Sequence, residues 1–311
     1  MSPRRSGPRA PSRRNAVQDS LLLKIGLPIA IAIIMCGIGL TLSGEDFRRV
    51  GRHPKPVVVG LIGHYLLLPA LGFAVAWMFP DSLEFAVGFV LVAACPSGSS
   101  SNALTYLARG NVALAVTLTV ISALVTFVSV PLLVNLALQW FGGEARQIRL
   151  PVAQTVMHLA ALVLVPVLLG MGVRRVASGF ALRVEPWVSR FALGLLLLLI
   201  VAIIVTQRDL LWRSFPELGP AALGMCAAAI GGGFLLARIS GLALRDAITV
   251  GMEVGVQNST LAIVIALTLL QSPQIAVPAA MYGLMMYLPA FAVVVLGRRA
   301  VARDEARGAV A

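Results

Sequence analysis

Charge is scarce in this chain: only 12% of its 311 residues are Asp, Glu, Lys or Arg, 13 are acidic and 3 are histidine. A soluble domain carries about 25% charged residues to cover itself with polar surface, and this chain has too few. Cysteine is scarce as well. Cys36, Cys95 and Cys226 lie in apolar stretches without ligand spacing, which argues against a disulfide framework or a zinc site and leaves them as small packing residues. No P-loop, dinucleotide fingerprint, HExxH helix or nucleophile elbow occurs. An ATP-driven pump and a soluble-type hydrolase therefore lack support, and no organic cofactor is implied. The alternating pattern of a membrane barrel is missing too, because the apolar runs are continuous.

What the chain has is hydrocarbon: 59% of residues are hydrophobic and the mean hydropathy is +0.91. Apolar runs recur near the ~20 residues that a helix needs to cross ~30 Å of lipid. About nine spans are expected, at 21–42, 57–78, 83–108, 112–138, 152–173, 188–204, 218–236, 247–270 and 275–296. The expected fold is an all-α polytopic membrane protein, with one transmembrane domain over 21–297. It is flanked by a basic N-terminal tail, 1–20, rich in Pro, Ser and Arg and expected to be disordered, and by a C-terminal tail, 298–311.

Basic loops stay cytoplasmic. Arg48, Arg49, Arg52 and Lys55, then Arg109, then Arg174, Arg175 and Arg183, then Arg238 and Arg245, and finally Arg298, Arg299, Arg303 and Arg307 mark one side. That side, with the C-terminus, is expected in the cytoplasm, opposite the loops around Asp81 with Glu84 and around Gln271, which carry no Lys or Arg, and the two loops carrying Arg146 with Arg149 and Arg208 with Arg213. An odd count of spans then places the N-terminus outside, against the arginines of its tail, Arg4, Arg5, Arg9, Arg13 and Arg14. The net charge of +12 belongs to loops and tails facing anionic lipid, since no basic domain outside the membrane exists to hold nucleic acid. The Arg- and Ala-rich composition suits a bacterial inner membrane, and the sequence assigns no oligomeric state.

Two spans are interrupted by polar residues. GMEVGVQNST, residues 251–260, puts Glu253, Gln257, Asn258 and Ser259 inside an apolar segment. A carboxylate at mid-span costs about 2.5–3.5 kcal/mol on insertion scales, so Glu253 must face protein, water or a cation. Gly251 and Gly255 weaken the helix there, and an unwound turn would free the carbonyls of Val254 and Val256. Carboxylate, amide and carbonyl oxygens converging on one point suit a hard cation; the competing reading is a Glu253 protonated or hydrogen-bonded to a neighbouring helix. In AACPSGSSSNALTY, residues 93–106, Pro96 and Gly98 break the third span before Ser99, Ser100, Ser101 and Asn102. A half-helix starting near Ser99 would aim free N–H groups at an anion, whereas the plainer reading is a Ser-rich kink that only packs.

Paired broken helices mark transporter binding sites near the bilayer midplane, at the interface of inverted repeats. The third and eighth spans lie five apart, as in a repeat of five plus five helices with the first member absent. A channel or a membrane-embedded enzyme is a remote alternative. Channels more often gather identical residues by symmetry, and His64 with Glu253 alone is a thin catalytic set.

The stretches IIMCGIGLTLSGEDF (33–47), CPSGSSSNALTYLARGNVALAVTLT (95–119) and GMEVGVQNSTLAI (251–263) resemble, in order, those of the bile acid/sodium symporter family, also called BASS. The chain is similar to its nine-helix members, lacking the first helix of ten-helix relatives. The resemblance implies a panel group of helices moving against a core group, with two broken helices crossing in the core. It implies secondary active transport of a small organic anion (bile-acid-like, pantoate, pyruvate or another 2-oxo or hydroxy acid) coupled to sodium by alternating access, with no enzymatic step.

By the same resemblance, one sodium matches Ser101, Asn102, Thr119 and Glu253, with Ala115 where a serine hydroxyl is usual. A second matches Glu253, Gln257 and the Val254 and Val256 carbonyls, with His64 where a glutamine is customary. Substrate contacts fall at Ser99 and Asn258, and a frequent Trp-His-Asn appears as Met285, Met286 and Tyr287, of which Met286 and Tyr287 are assigned to the substrate. Imidazole is a poor partner for a hard cation yet titrates in the physiological range. A proton-coupled or uncoupled carrier of the same fold is therefore the alternative.

Overall fold

The computed structural model describes residues 26–41, 54–142, 156–157 and 160–308. The tail 1–20, the loop with Arg48, Arg49 and Arg52, the Arg146 and Arg149 loop and most of the start of the fifth predicted span lie outside the described residues.

Within them the secondary structure is helical, and the one β contact is an isolated bridge between Ser97 and Gln257. Helix α1 covers Leu27–Thr41. Helix α2 covers Pro54–Ala76, with a wide π turn at Gly63–Leu67. The third span is two pieces, α3 (Leu83–Ala94) and α4 (Ser99–Leu107). Then come α5 (Val112–Gly142), α6 (Val165–Val176, after a π turn at Ala160–Leu164), α7 (Ser178–Thr206) and α8 (Arg208–Ile239). The eighth span is again two pieces, α9 (Leu244–Gly255) and α10 (Ser259–Thr268), before α11 (Pro273–Met285) and α12 (Tyr287–Gly308).

The protein is an all-α polytopic membrane protein. Among the described residues five helical stretches are long and apolar enough to cross a membrane, beside shorter apolar helices. Several helices outrun their predicted apolar cores. α7 starts at Ser178, α8 starts at Arg208 and α12 continues to Gly308, because amphipathic turns prolong a helix beyond the hydrocarbon that hydropathy detects.

Helices α1, α6 and α7 pack on one another, while α2, α3, α5 and α8 to α11 form a larger group. In the smaller group the crossing of α1 and α6 is very close. A Cβ on Gly39 would lie 2.2 Å from the Val167 carbonyl oxygen, and one on Gly170 would lie 2.1 Å from that of Cys36, so only glycine fits at both. In the larger group every residue of α3 from Phe85 to Ala94 is buried, and so is α9 from Ala247 to Gly255. These are the surroundings in which an unpaired backbone group is most costly.

At the basic end, the loops next to both broken spans are tied together. The Asn111 amide donates to Asp246 Oδ1 at 2.8 Å. Glu305 of α12 pairs with Arg245 and, at 3.5 Å, with Arg109.

Candidate functional site

Both breaks leave backbone groups that a helix would have paired, and they satisfy one another. Gly98 N donates to the Val256 carbonyl at 2.9 Å and Asn258 N donates to the Pro96 carbonyl at 2.9 Å. The two bonds flank the Ser97–Gln257 bridge, as the paired bonds of an antiparallel bridge do. A Cβ on Gly98 would meet the Gln257 carbonyl oxygen at 3.0 Å, so the close approach of the two chains depends on that glycine.

Side chains take most of the remaining orphans. His64 Nε2 lies 3.2 Å from the Cys95 carbonyl, Ser129 Oγ donates to the Ala94 carbonyl at 3.0 Å and the Tyr282 hydroxyl donates to the Gly255 carbonyl at 2.8 Å. Ser97 N donates to Ser122 Oγ at 3.2 Å. Ser97, Ser122 and Tyr282 carry this framework and were not singled out in the sequence. Thr119, Ser122, Thr126 and Ser129 recur at helical spacing along α5, and that polar stripe in an apolar helix was the signal available.

The second break differs from the expected one. Helix α9 continues through Glu253 to Gly255, and the chain departs from helix only at Val256–Asn258. Gly251 and Gly255 admit a neighbour rather than unwind the helix. A Cβ on Gly251 would stand 2.8 Å from the Ile230 carbonyl oxygen of α8, and one on Gly255 would stand 2.1 Å from Ile230 Cγ1. Nor are the two carbonyls free. Gln257 Nε2 donates to that of Val254 at 2.8 Å, and that of Val256 is held by Gly98.

Glu253 is 1% exposed. Ser101 Oγ donates to its Oε1 at 2.5 Å, and Thr119 Oγ1 donates to its Oε2 at 2.8 Å. Thr119 also lies 3.5 Å from Asn102 Oδ1. The structure thus brings together Ser101, Asn102, Thr119 and Glu253 from three helices. Among the described residues no basic side chain pairs with Glu253. Ala115, also buried and one turn before Thr119 on α5, adds no donor. His64 bonds the Cys95 carbonyl rather than the carboxylate of Glu253 or Gln257. Gln257 turns its amide nitrogen to backbone carbonyls, so its fully buried Oε1 has no hydrogen-bond partner.

The donor set fits a hard monovalent cation. It is all oxygen, holds one carboxylate to balance one positive charge, and includes an unsatisfied buried acceptor nearby. The described residues contain no cluster of three or more His, Cys, Asp or Glu, as a transition-metal site would need.

Beside this cluster lies a cavity of about 720 Å³. Ser99 and Ser100 line it at the start of α4, where Gly98 offers no side-chain cap and the first N–H groups have no intrahelical acceptor. Asn258, Ser259 and Thr260 line it at the start of α10, where Asn258 Oδ1 caps Leu261 N at 3.0 Å. Two helix N-termini therefore share one cavity, and their dipoles favour an anion there. Ser259 stood out in the sequence as polar but was given no role in the site; its hydroxyl is buried without a partner. Of the residues expected at the substrate, Ser99, Asn258, Met286 and Tyr287 all line this cavity, and Met285 does not. Its opposite wall comes from α1 and α7, through Ile34, Ile38, Leu193 and Leu196, so it lies between the two helix groups.

Comparison with known proteins agrees with this architecture. Residues 28–214 match the Sodium Bile acid symporter family. The chain is 34% identical over 263 residues to an uncharacterized sodium-dependent transporter, YocS, of Bacillus subtilis, covering 83% of this chain and 78% of that one. It is 32% identical over 271 residues to a probable chloroplastic sodium/metabolite cotransporter, BASS2, of Oryza sativa subsp. japonica, covering 87% of this chain but only 63% of the rice protein. With the ileal sodium/bile acid cotransporter of Homo sapiens it shares 29% identity over 243 residues, 78% of this chain and 69% of the human one. The paired broken spans and the match over most of the chain lead to one conclusion: the chain belongs to the sodium bile acid symporter family.

Proposed function

We propose that this protein is a secondary transporter that carries a small organic anion together with sodium across a cell membrane, by alternating access and without covalent chemistry. The observation that supports this most is Glu253, a buried carboxylate with hydroxyl partners and no basic partner among the described residues, set beside a cavity onto which two helix N-termini open. An uncompensated buried charge is costly, and here compensation comes from a mobile cation. The names of the relatives point the same way.

Ser101, Asn102, Thr119 and Glu253 hold the cation, with Gln257 Oε1 as a further acceptor. The N–H groups at Ser99 and Ser100, with Asn258, hold the carboxylate of the substrate. Because Ser101 and Asn102 belong to the same half-helix as Ser99, ordering one set orders the other. Binding is thus coupled, and by reciprocity the anion raises cation affinity by the factor with which the cation raises anion affinity. On this reading the protein works in a bacterial inner membrane with its basic loops and C-terminus in the cytoplasm, as the arginines of those loops suggest.

His64 favours one second reading, a proton-coupled carrier, since an imidazole stands buried at the crossing. The test is uptake and counterflow of labelled organic acids in proteoliposomes, in sodium and in choline, at two pH values. Saturable counterflow that requires sodium supports the proposal. Uptake that survives in choline but follows the pH gradient moves the coupling to protons, and currents far above carrier turnover would indicate a channel.

A further inference from the structure

Among the described residues that line the cavity, Arg190 is the only basic one. It sits inside the predicted span 188–204, where a charge is costly unless it has water or a partner. Among the described residues it forms no ion pair; its guanidinium rests over the Trp187 ring, 5.1 Å from the centroid. Stacking of this kind leaves the N–H edges of the fork free to donate.

Its position follows from the helix. Pro186, Arg190 and Leu193 line the cavity from one face of α7, and Leu196 lines it farther along, about 120° round the helix from Arg190. Leu196 marks the depth of the crossing: its Cδ1 lies 3.4 Å from where a Cβ on Gly283 would be, and that same Cβ would meet Ser259. Six residues back along α7 is about 9 Å. Arg190 therefore leaves α7 roughly that much farther along the helix axis than Leu196, toward the basic end of the molecule, on the wall opposite α4 and α10. Between the two poles the lining includes Ile38, Val116 and Leu193. Glu185 also lines the mouth, but lies about 140° from Arg190 around the helix and is itself engaged in a contact.

We infer that Arg190 is a specificity-determining residue that receives a second acidic group of the substrate, so that the favoured cargo is a dianion with an apolar middle rather than a simple monocarboxylate. This rests on the transport reading and deepens it. One acid group docks at Ser99 and Asn258 on the larger helix group, and the other meets the guanidinium on the smaller one. Arg190 is thereby a contact made across the boundary between the two groups, which the residues of the crossing are not.

The test uses the purified full chain in sodium buffer. Thermal stabilisation is titrated with linear dicarboxylates of increasing length and with monocarboxylates of matching length, for the wild type, Arg190→Gln and Arg190→Lys. The wild type should favour a dicarboxylate of intermediate length. In Arg190→Gln the half-saturating concentration of that dicarboxylate should rise about tenfold or more, the worth of a charge-assisted hydrogen bond, while that of monocarboxylates stays within about threefold. Arg190→Lys should recover part of the loss. A retained monocarboxylate response also shows that the variant is folded. Equal weakening of both classes would make Arg190 structural, and no change in either would make the Arg190–Trp187 pair an interface anchor; each overturns the inference. If the wild type responds to monocarboxylates alone, the inference falls while the transport reading stands. If it responds to neither class, both fall.

Discussion

Replacing Glu253 with Gln removes one charge and almost no volume. The side-chain oxygen can still accept from Ser101, which donates to Oε1 at 2.5 Å, and Thr119 can rotate to accept from the new amide, where it now donates to Oε2 at 2.8 Å. Two hydrogen bonds to a charged group weaken, each worth about 1.5–3 kcal/mol. Against that, a carboxylate with no basic partner among the described residues, and 1% exposed, ceases to need a counter-charge, a relief of several kcal/mol. In choline buffer the variant should therefore be at least as stable as the wild type. In sodium the two should part. A wild type holding sodium at a hundred times its dissociation constant gains about 2.7 kcal/mol. At about 2–4 °C per kcal/mol for a chain of a few hundred residues, this is a rise in Tm of about 5–10 °C. Glu253→Gln should show none of that rise. The assay is a melting curve of purified protein against sodium at constant ionic strength made up with choline. A variant that keeps the wild-type sodium shift would refute the assignment of Glu253 as the compensating charge.

Three further outcomes are expected. Gly98→Ala should destabilise by about 1–3 kcal/mol through overpacking against the Gln257 carbonyl oxygen 3.0 Å away, while Gly172→Ala, which meets nothing within 4 Å, should leave the Tm unchanged or raise it; equal effects would remove the steric argument for the crossing. Asn258→Ala should cost about 0.5–2 kcal/mol through the lost cap on Leu261 N and should also weaken stabilisation by organic anions; a loss of stability with unchanged anion response would leave Asn258 as a cap only. His64→Gln keeps a donor for the Cys95 carbonyl and adds an oxygen, so half-saturating sodium in uptake should fall; an unchanged sodium dependence together with an unchanged pH profile would take His64 out of the coupling machinery.

Much of the site was readable because membrane insertion is a local test applied to each segment. A polar residue inside twenty apolar ones stands out against its neighbours, so Glu253, Gln257 and the Ser99–Asn102 run declared themselves, and Pro96 with Gly98 located the first break. The second break was misplaced for an equally physical reason. Glycine weakens a helix and also admits a close neighbour, and a sequence cannot say which use applies; at Gly251 and Gly255 it is the approach of Ile230. Arg190 escaped notice because a basic residue near the end of a span looks like one more loop charge until α7 is seen to turn it toward the cavity.

By itself, then, the sequence determined the solvent of this protein and the places where its helices must fail, since both follow from the transfer energy and hydrogen bonding of short segments. The tertiary structure alone decided which failures meet. Ser101 reaches Glu253 from 152 positions away, and Gly98 and Asn258 donate across the crossing to carbonyls of the opposite break. An orphaned backbone group in lipid must be paired, but any suitable partner satisfies that demand. Only the packing of α2, α5 and α8 around the two breaks selects this partner, and with it the oxygen cluster and the cavity beside it.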